Sequence, residues 1–140
     1  MNLEKNSIMI EVEDSEEEAM KSFFFDTYAF FEILNGSENY RKYISVRIIT
    51  SKLNLFELYS KILRESNEEE AHIALEEYYP FVKDFDQEVI IAAAKLKKEL
   101  NKRDVSMTDC IGYALAKQLG IKFLTGDRVF EHMENVEFVK

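Results

Sequence analysis

With 140 residues, 46% hydrophobic and 32% charged, the chain has the length of one globular domain and too many core-forming residues for wholesale disorder. No apolar run reaches the ~20 residues of a membrane helix and the N-terminus has no secretory pattern; the single cysteine, Cys110, lacks an internal partner, so a reducing cytoplasm is the expected location. A formal charge of -9 argues against holding nucleic acid through a global positive field; any polyanion would need a local basic strip or a bound cation.

Charge is concentrated at the start, where residues 1–21 hold seven acidic residues against Lys5 and Lys21. Residues 1–20 therefore read as an acidic extension and 21–140 as the compact domain, with Met20 a natural start for the fold. The charge run favours an exposed tail, whereas the alternation of Ile8, Ile10 and Val12 with Met9, Glu11 and Glu13 is compatible with an edge strand. The run FFF predicts a short buried strand at 23–25 ending on Asp26, followed by a helix over 27–35 that Gly36 stops. A second strand is predicted at 46–49, with Thr50 or Ser51 as N-cap of a helix over 53–66 whose Leu55, Leu58 and Ile62 share one face.

Asn67 caps the next helix, which carries acids in its first turn and ends at Pro80; residues 81–84 form either a short strand or a connector. Asp86 caps a helix that places Val89, Ala93, Leu96 and Leu100 on one face. Lys95, Lys97, Lys98, Lys102 and Arg103 gather toward its C-terminal end, where they either complement the helix dipole or meet phosphate. Ser106 caps a helix over 107–119 with an inner face of Cys110, Ile111, Ala114, Leu115 and Leu119, closed by Gly120. Strands at 121–124 and 136–139 complete the pattern. Short strands alternating with helices predict an α/β fold with a mostly parallel sheet covered on both faces.

Four acids lie at or one helix beyond the ends of these strands: Asp26, Glu57, Asp109 and Asp127. In an open parallel sheet such positions converge on the crevice outside the carboxyl ends of the strands. Each also has a local structural explanation. Asp26 can cap its helix, Glu57 can pair with Lys61 on a face shared with Asn54 and Arg64, Asp109 can complete a capping box with Ser106, and Asp127 can shape a turn. Gathered in one cleft, they would repel each other unless a hard cation such as magnesium or manganese joined them.

Thr108 and Thr125 could orient those carboxylates, and Gly112 either leaves room beside Asp109 or allows close helix packing. Other chemistries lack support. His72 and His132 are isolated, Cys110 falls on an apolar face as a buried inert thiol, and the four glycines are too scattered for a phosphate loop.

The succession FFFDTYAFFEIL, NLFELY, SMTDCIGYALAKQLG and IKFLTGD resembles the PIN-domain family, including the VapC-like toxins of toxin–antitoxin pairs, over about residues 21 to 140. The resemblance implies a three-layer α/β/α fold and a Mg2+- or Mn2+-dependent ribonuclease that leaves a 5′-phosphate and a 3′-hydroxyl. Asp26 and Asp109 would be the main metal ligands, with Glu57 and Asp127 holding a second metal or waters, and Thr108 and Thr125 in support. It further implies a homodimer and a small antitoxin that covers the active-site groove. RNA would enter past Arg41, Lys42, Arg47 and the basic group from Lys95 to Arg103, and the acidic N-terminal segment would mimic an inhibitor in that groove. The competing reading is a catalytically silent PIN-like partner-binding or regulatory module. A receiver-like or haloacid-dehalogenase-like enzyme fits less well, because Thr27 and Tyr28, not a second acid, follow Asp26.

Overall fold

Strand β1 (Ser22–Phe25) is the hub of a four-stranded parallel sheet, paired on one side with β2 (Arg47–Ile49) and on the other with β3 (Lys122–Thr125), beyond which lies β4 (Val136–Phe138). The computed structural model describes residues 21–101 and 104–140. Phe24 stands opposite both Ile49 and Phe123, which sets the register across β2, β1 and β3. Successive strand side chains point to opposite faces, so the FFF run feeds two cores at once. Phe24 joins one buried cluster and Phe25 the other, and both are fully buried.

The helices divide between those cores. On the Phe25 side, α1 (Thr27–Leu34), α2 (Lys52–Glu65) and α3 (Glu68–Tyr78) contribute Phe30, Leu58 and Tyr78. On the Phe24 side, α4 (Gln87–Glu99) contributes Val89 and Ala93, and α5 (Met107–Leu119) contributes Ile111 and Leu115. This is the α/β fold covered on both faces that the alternation of elements predicts, in the three-layer α/β/α form that the family resemblance implies, with a wholly parallel sheet.

Local signals set the helix boundaries. Ser51, Asn67, Asp86 and Ser106 each accept a hydrogen bond from the backbone N–H three residues on, satisfying an orphan donor of the first turn. Gly120 ends α5 in the left-handed conformation, at φ 69°. β3 runs one residue later than predicted, because its pairing with β1 begins at Lys122. The 81–84 segment is a connector that touches the sheet through a single parallel bridge between Thr50 and Val82.

Leu119 departs from the predicted inner face: it lies in the last turn of α5, one turn past buried Leu115, and remains 38% exposed. A 3-10 helix over Glu38–Tyr43 was not foreseen; it buries Tyr40 and Tyr43, and the Tyr40 hydroxyl donates to the Val139 carbonyl at 2.6 Å. The acidic extension, with its suggested edge strand at Ile8, Ile10 and Val12, lies outside the described residues.

Gly112 lets α5 approach the sheet closely. A Cβ there would stand 2.8 Å from Cε1 of Phe24 and 3.1 Å from Cε2 of Phe123, and both rings are fully buried. Close packing, not space beside Asp109, therefore explains this glycine. In Gly112→Ala the overpacking cost of about 1–3 kcal/mol should outweigh a helix-propensity gain of up to ~1 kcal/mol. Urea unfolding should accordingly show a net loss of stability with an unchanged denaturant slope.

Candidate metal centre

Asp26 follows the last residue of β1, and its backbone N–H still donates across the sheet to the Leu124 carbonyl at 3.1 Å. Its side chain cannot turn to solvent, being only 3% exposed. Oδ1 accepts from the Thr27 N–H at 2.9 Å and Oδ2 from the Thr125 hydroxyl at 2.7 Å. The helix-cap role expected of Asp26 is real, but it uses one oxygen only.

Thr125, the last residue of β3, couples two acids. Its hydroxyl donates to Asp26 and accepts from the Asp127 N–H at 3.1 Å, while Asp127 Oδ1 accepts from the Val129 N–H at 3.1 Å. Gly126 between them is required by a close approach, since a Cβ there would collide with the Tyr28 ring. Asp109 comes from the first turn of α5, where it completes the predicted capping box: Oδ2 accepts from the Ser106 N–H and the Ser106 hydroxyl accepts from the Asp109 N–H, both at 3.1 Å.

Glu57 is held by a chain of bonds that sequence reading did not single out. Its Oε1 accepts from the Thr27 hydroxyl at 2.7 Å, and that oxygen accepts from Asn54 Nδ2 at 3.1 Å. Asn54 Oδ1 in turn accepts from the Ser51 hydroxyl at 2.6 Å, and both Ser51 and Asn54 are fully buried. A buried asparagine one helical turn before an acid is the only signal that could have disclosed it. The expected Glu57 to Lys61 pair does not form among the described residues; Lys61 Nζ sits instead 4.1 Å over the centre of the Phe31 ring. Thr108 is buried beside Asp109, and its side chain makes no hydrogen bond among the described residues.

The four carboxylates line one cleft of about 430 Å³. Among the described residues no salt bridge neutralises any of them. Burial, reinforced by the negative charge of Asp109 and to a smaller degree Glu57, pushes the Asp26 carboxyl up to about 8 against the hydrogen bonds from Thr125 and Thr27. Burial also raises Asp109; its bonds with Ser106 oppose the shift, and the charges of Glu57 and Asp127 add to it. As placed, no three His, Cys, Asp or Glu residues among those described stand close enough to share one ion. The donor chemistry nonetheless fits Mg2+ or Mn2+: all four groups are hard oxygen donors, and Mg2+ commonly uses one or two carboxylates while keeping several waters.

The remaining candidates are dispersed. Lys95 lines a separate groove of about 480 Å³ between α4 and α5, which shares no residue with the acidic cleft. Lys97 Nζ donates to the Val105 carbonyl at 2.9 Å, just before the Ser106 cap, and Lys98 is exposed. Lys102 and Arg103 lie outside the described residues. Arg41, Lys42 and Arg47 are exposed, with Arg41 3.5 Å from Glu38. Cys110 is buried and burial raises its thiol, as an inert cysteine requires. His72 and His132 are exposed and lie near Glu76 and Glu131.

A parallel α/β/α domain with carboxylates collected at the carboxyl ends of its strands defines the class of protein. The chain belongs to the PIN-domain family, whose model matches residues 23–136. Its fold is similar to a chain of the DNA-bound VapBC from Salmonella typhimurium, with TM-score 0.66, 23% identity, and coverage of 84% of this chain and 96% of that one. It is likewise similar to Mycobacterium tuberculosis VapC20, described as a sarcin-ricin loop cleaving toxin, with TM-score 0.69, 19% identity, and coverage of 84% and 99%. A toxin–antitoxin complex from Klebsiella pneumoniae has TM-score 0.65 and 17% identity, covering 81% and 94%. No curated protein sequence matches the chain.

The Asp26 shift has a defined sign. In the unfolded chain this group ionises near its ordinary 3.8, whereas in the fold it keeps its proton up to about 8. Below 3.8 both states are protonated and Asp26 contributes no difference. As pH rises through that window the metal-free fold should therefore lose stability relative to Asp26→Asn, by several kcal/mol at most. Urea unfolding of both proteins in EDTA, from pH 4 to pH 9, measures the difference. Divalent cation uptake near neutral pH should also release protons, since Asp26 must ionise to bind.

Proposed function

We propose that this chain is a Mg2+- or Mn2+-dependent ribonuclease that hydrolyses RNA phosphodiester bonds and serves as the toxin of a toxin–antitoxin pair. The observation that carries the reading is the set of four unneutralised carboxylates in one cleft, with Asp26 buried at its base. Membership of the PIN-domain family supports nuclease chemistry, and the VapBC likeness supports a small antitoxin partner. A homodimer, a cytoplasmic location and residues 21–140 as the nuclease unit belong to the same proposal. Among the described residues no helix is long and apolar enough to cross a membrane.

In this reading Asp26 and Asp109 hold the cation, and Glu57 and Asp127 bind a second ion or fix waters beside it. When bound, a divalent cation supplies charge stabilisation for the phosphoryl oxygens and lowers the pKa of an attacking water. The chain supplies the orientation. Thr125 fixes Asp26 Oδ2 and the Asp127 backbone together, and Thr27, itself held by Asn54, aims Glu57. Thr108 acts by packing the first turn of α5. Lys95, Lys97, Lys98, Lys102 and Arg103 are assigned to RNA contact; Lys97 is bonded to the Val105 carbonyl, next to the Ser106 cap that carries Asp109.

The spacing of the carboxylates, too wide for a closed ion cage, favours one alternative: a catalytically silent PIN-like module that binds a partner. Cleavage of a mixed pool of labelled structured and unstructured RNAs with Mn2+ distinguishes the two. Wild type should cleave, and Asp109→Asn should lose at least roughly 100-fold, beyond the 10- to 100-fold typical of an outer-shell partner. Equal background in both, with fold and metal uptake intact and no inhibitor copurified, would establish the silent module.

A further inference from the structure

Besides Glu57, four residues of α2 line the acidic cleft: Phe56, Ser60, Lys61 and Arg64. Along α2, Phe56, Ser60 and Arg64 recur at i, i+4 and i+8, and Glu57 and Lys61 form the adjoining stripe; all five line the cleft. Phe56 exposes 72% of its surface, immediately beside Glu57, while the other aromatic groups of the cleft, Tyr28 and Phe31, are half-buried. Neither Lys61 nor Arg64 has a salt bridge among the described residues. Within the cleft Lys61 rests on the face of Phe31, and outside its lining Lys140 stands 5.6 Å from the centre of the Tyr28 ring.

An isolated exposed phenylalanine is ordinary on a protein surface. An exposed ring that shares one cleft with two cations free of salt bridges and with four carboxylates is a narrower combination. Flat apolar groups joined by phosphates match it: bases stack on aromatic rings, and a basic groove tracks the backbone. In a duplex the base faces are already covered by their neighbours, so a ring can stack only on an unpaired or splayed base.

We propose that Phe56 is a stacking platform for one unpaired base next to the scissile position, with Lys61 and Arg64 holding the adjoining phosphates. The proposal deepens the ribonuclease reading and rests on it for the position of the scissile bond. Tyr28 and Phe31, the latter under Lys61, form other walls of the cleft. Phe56 acts as a substrate-binding residue and takes no part in the chemistry.

The test uses the full chain with Ca2+ in place of Mg2+ or Mn2+, and a single-stranded RNA carrying 2-aminopurine at successive positions, whose fluorescence is quenched on stacking. Wild type should quench at one or two adjacent positions and leave the same sequence in a duplex unchanged. Phe56→Ala should abolish the quenching and, with Mn2+, raise KM for cleavage roughly 5- to 100-fold with kcat little changed. Phe56→Trp should retain both properties, and Phe56→Leu should not. Because the side chain is exposed, all three variants should keep the wild-type melting temperature.

Persistent quenching in Phe56→Ala, or Phe56→Leu equal to wild type, overturns the platform and leaves Phe56 to a protein partner. The two readings fail separately. Cleavage that ignores Phe56 retains the nuclease and removes the platform. Phe56-dependent quenching without any cleavage retains the platform and removes the nuclease, and the absence of both removes both.

Discussion

The structure turns on a carboxylate that its own fold withdraws from water. Strand β1 is buried on both faces, so Asp26, which ends it, stays in the interior and cannot reach solvent. Two hydrogen bonds, from Thr27 and Thr125, satisfy its oxygens without neutralising the charge. Asp109 and Glu57 then add repulsion instead of relief. A buried ion left without a counter-charge is costly, and the group responds by keeping its proton until something replaces it. That unresolved charge connects the apolar core to the chemistry of the cleft: the same three phenylalanines that bind the layers together also strand the acid.

The bonds that make the fold and the bonds that make the site are largely the same. Asp109 closes the first turn of α5 through Ser106, and the close approach allowed by Gly112 seats that helix on Phe24 and Phe123. Ser51 caps α2 and, through Asn54 and Thr27, aims Glu57. The Thr125 hydroxyl ties the end of β3 to the end of β1 while fixing the relative position of two acids. The local explanations for Asp26 and Asp109 therefore do not compete with a functional one. A cap uses one face of a carboxylate, and the remaining lone pairs are free to point at the cleft.

The outer face of α2 follows a different logic. Its inner stripe is set by Leu55 and Leu58, which pack under the sheet, and this phase forces Phe56, Ser60 and Arg64 outward along the cleft. Lys61 has the right spacing to pair with Glu57, but Glu57 is engaged by Thr27 and the ammonium settles on Phe31. Side chains four residues apart on a helix are neighbours, yet tertiary partners decide whether they meet.

Much of this was legible in the chain. The FFF run, the alternating elements and four side-chain caps determined the strand hub, the helix starts and the α/β class, because each rests on forces acting within a few residues: burial of a continuous apolar run, and satisfaction of the first-turn N–H groups. The residue types of Asp26, Glu57, Asp109 and Asp127 were equally visible. Only tertiary structure decided that Thr27 orients Glu57 across 30 residues of sequence and is itself held by Asn54 across 27, that Thr125 bonds Asp26 across 99, and that the Lys95 groove shares no residue with the acidic cleft. Those relations depend on where strands distant in the chain finish beside one another, and on how far burial shifts a carboxyl group. Both are properties of packed neighbours, and no local pattern encodes them.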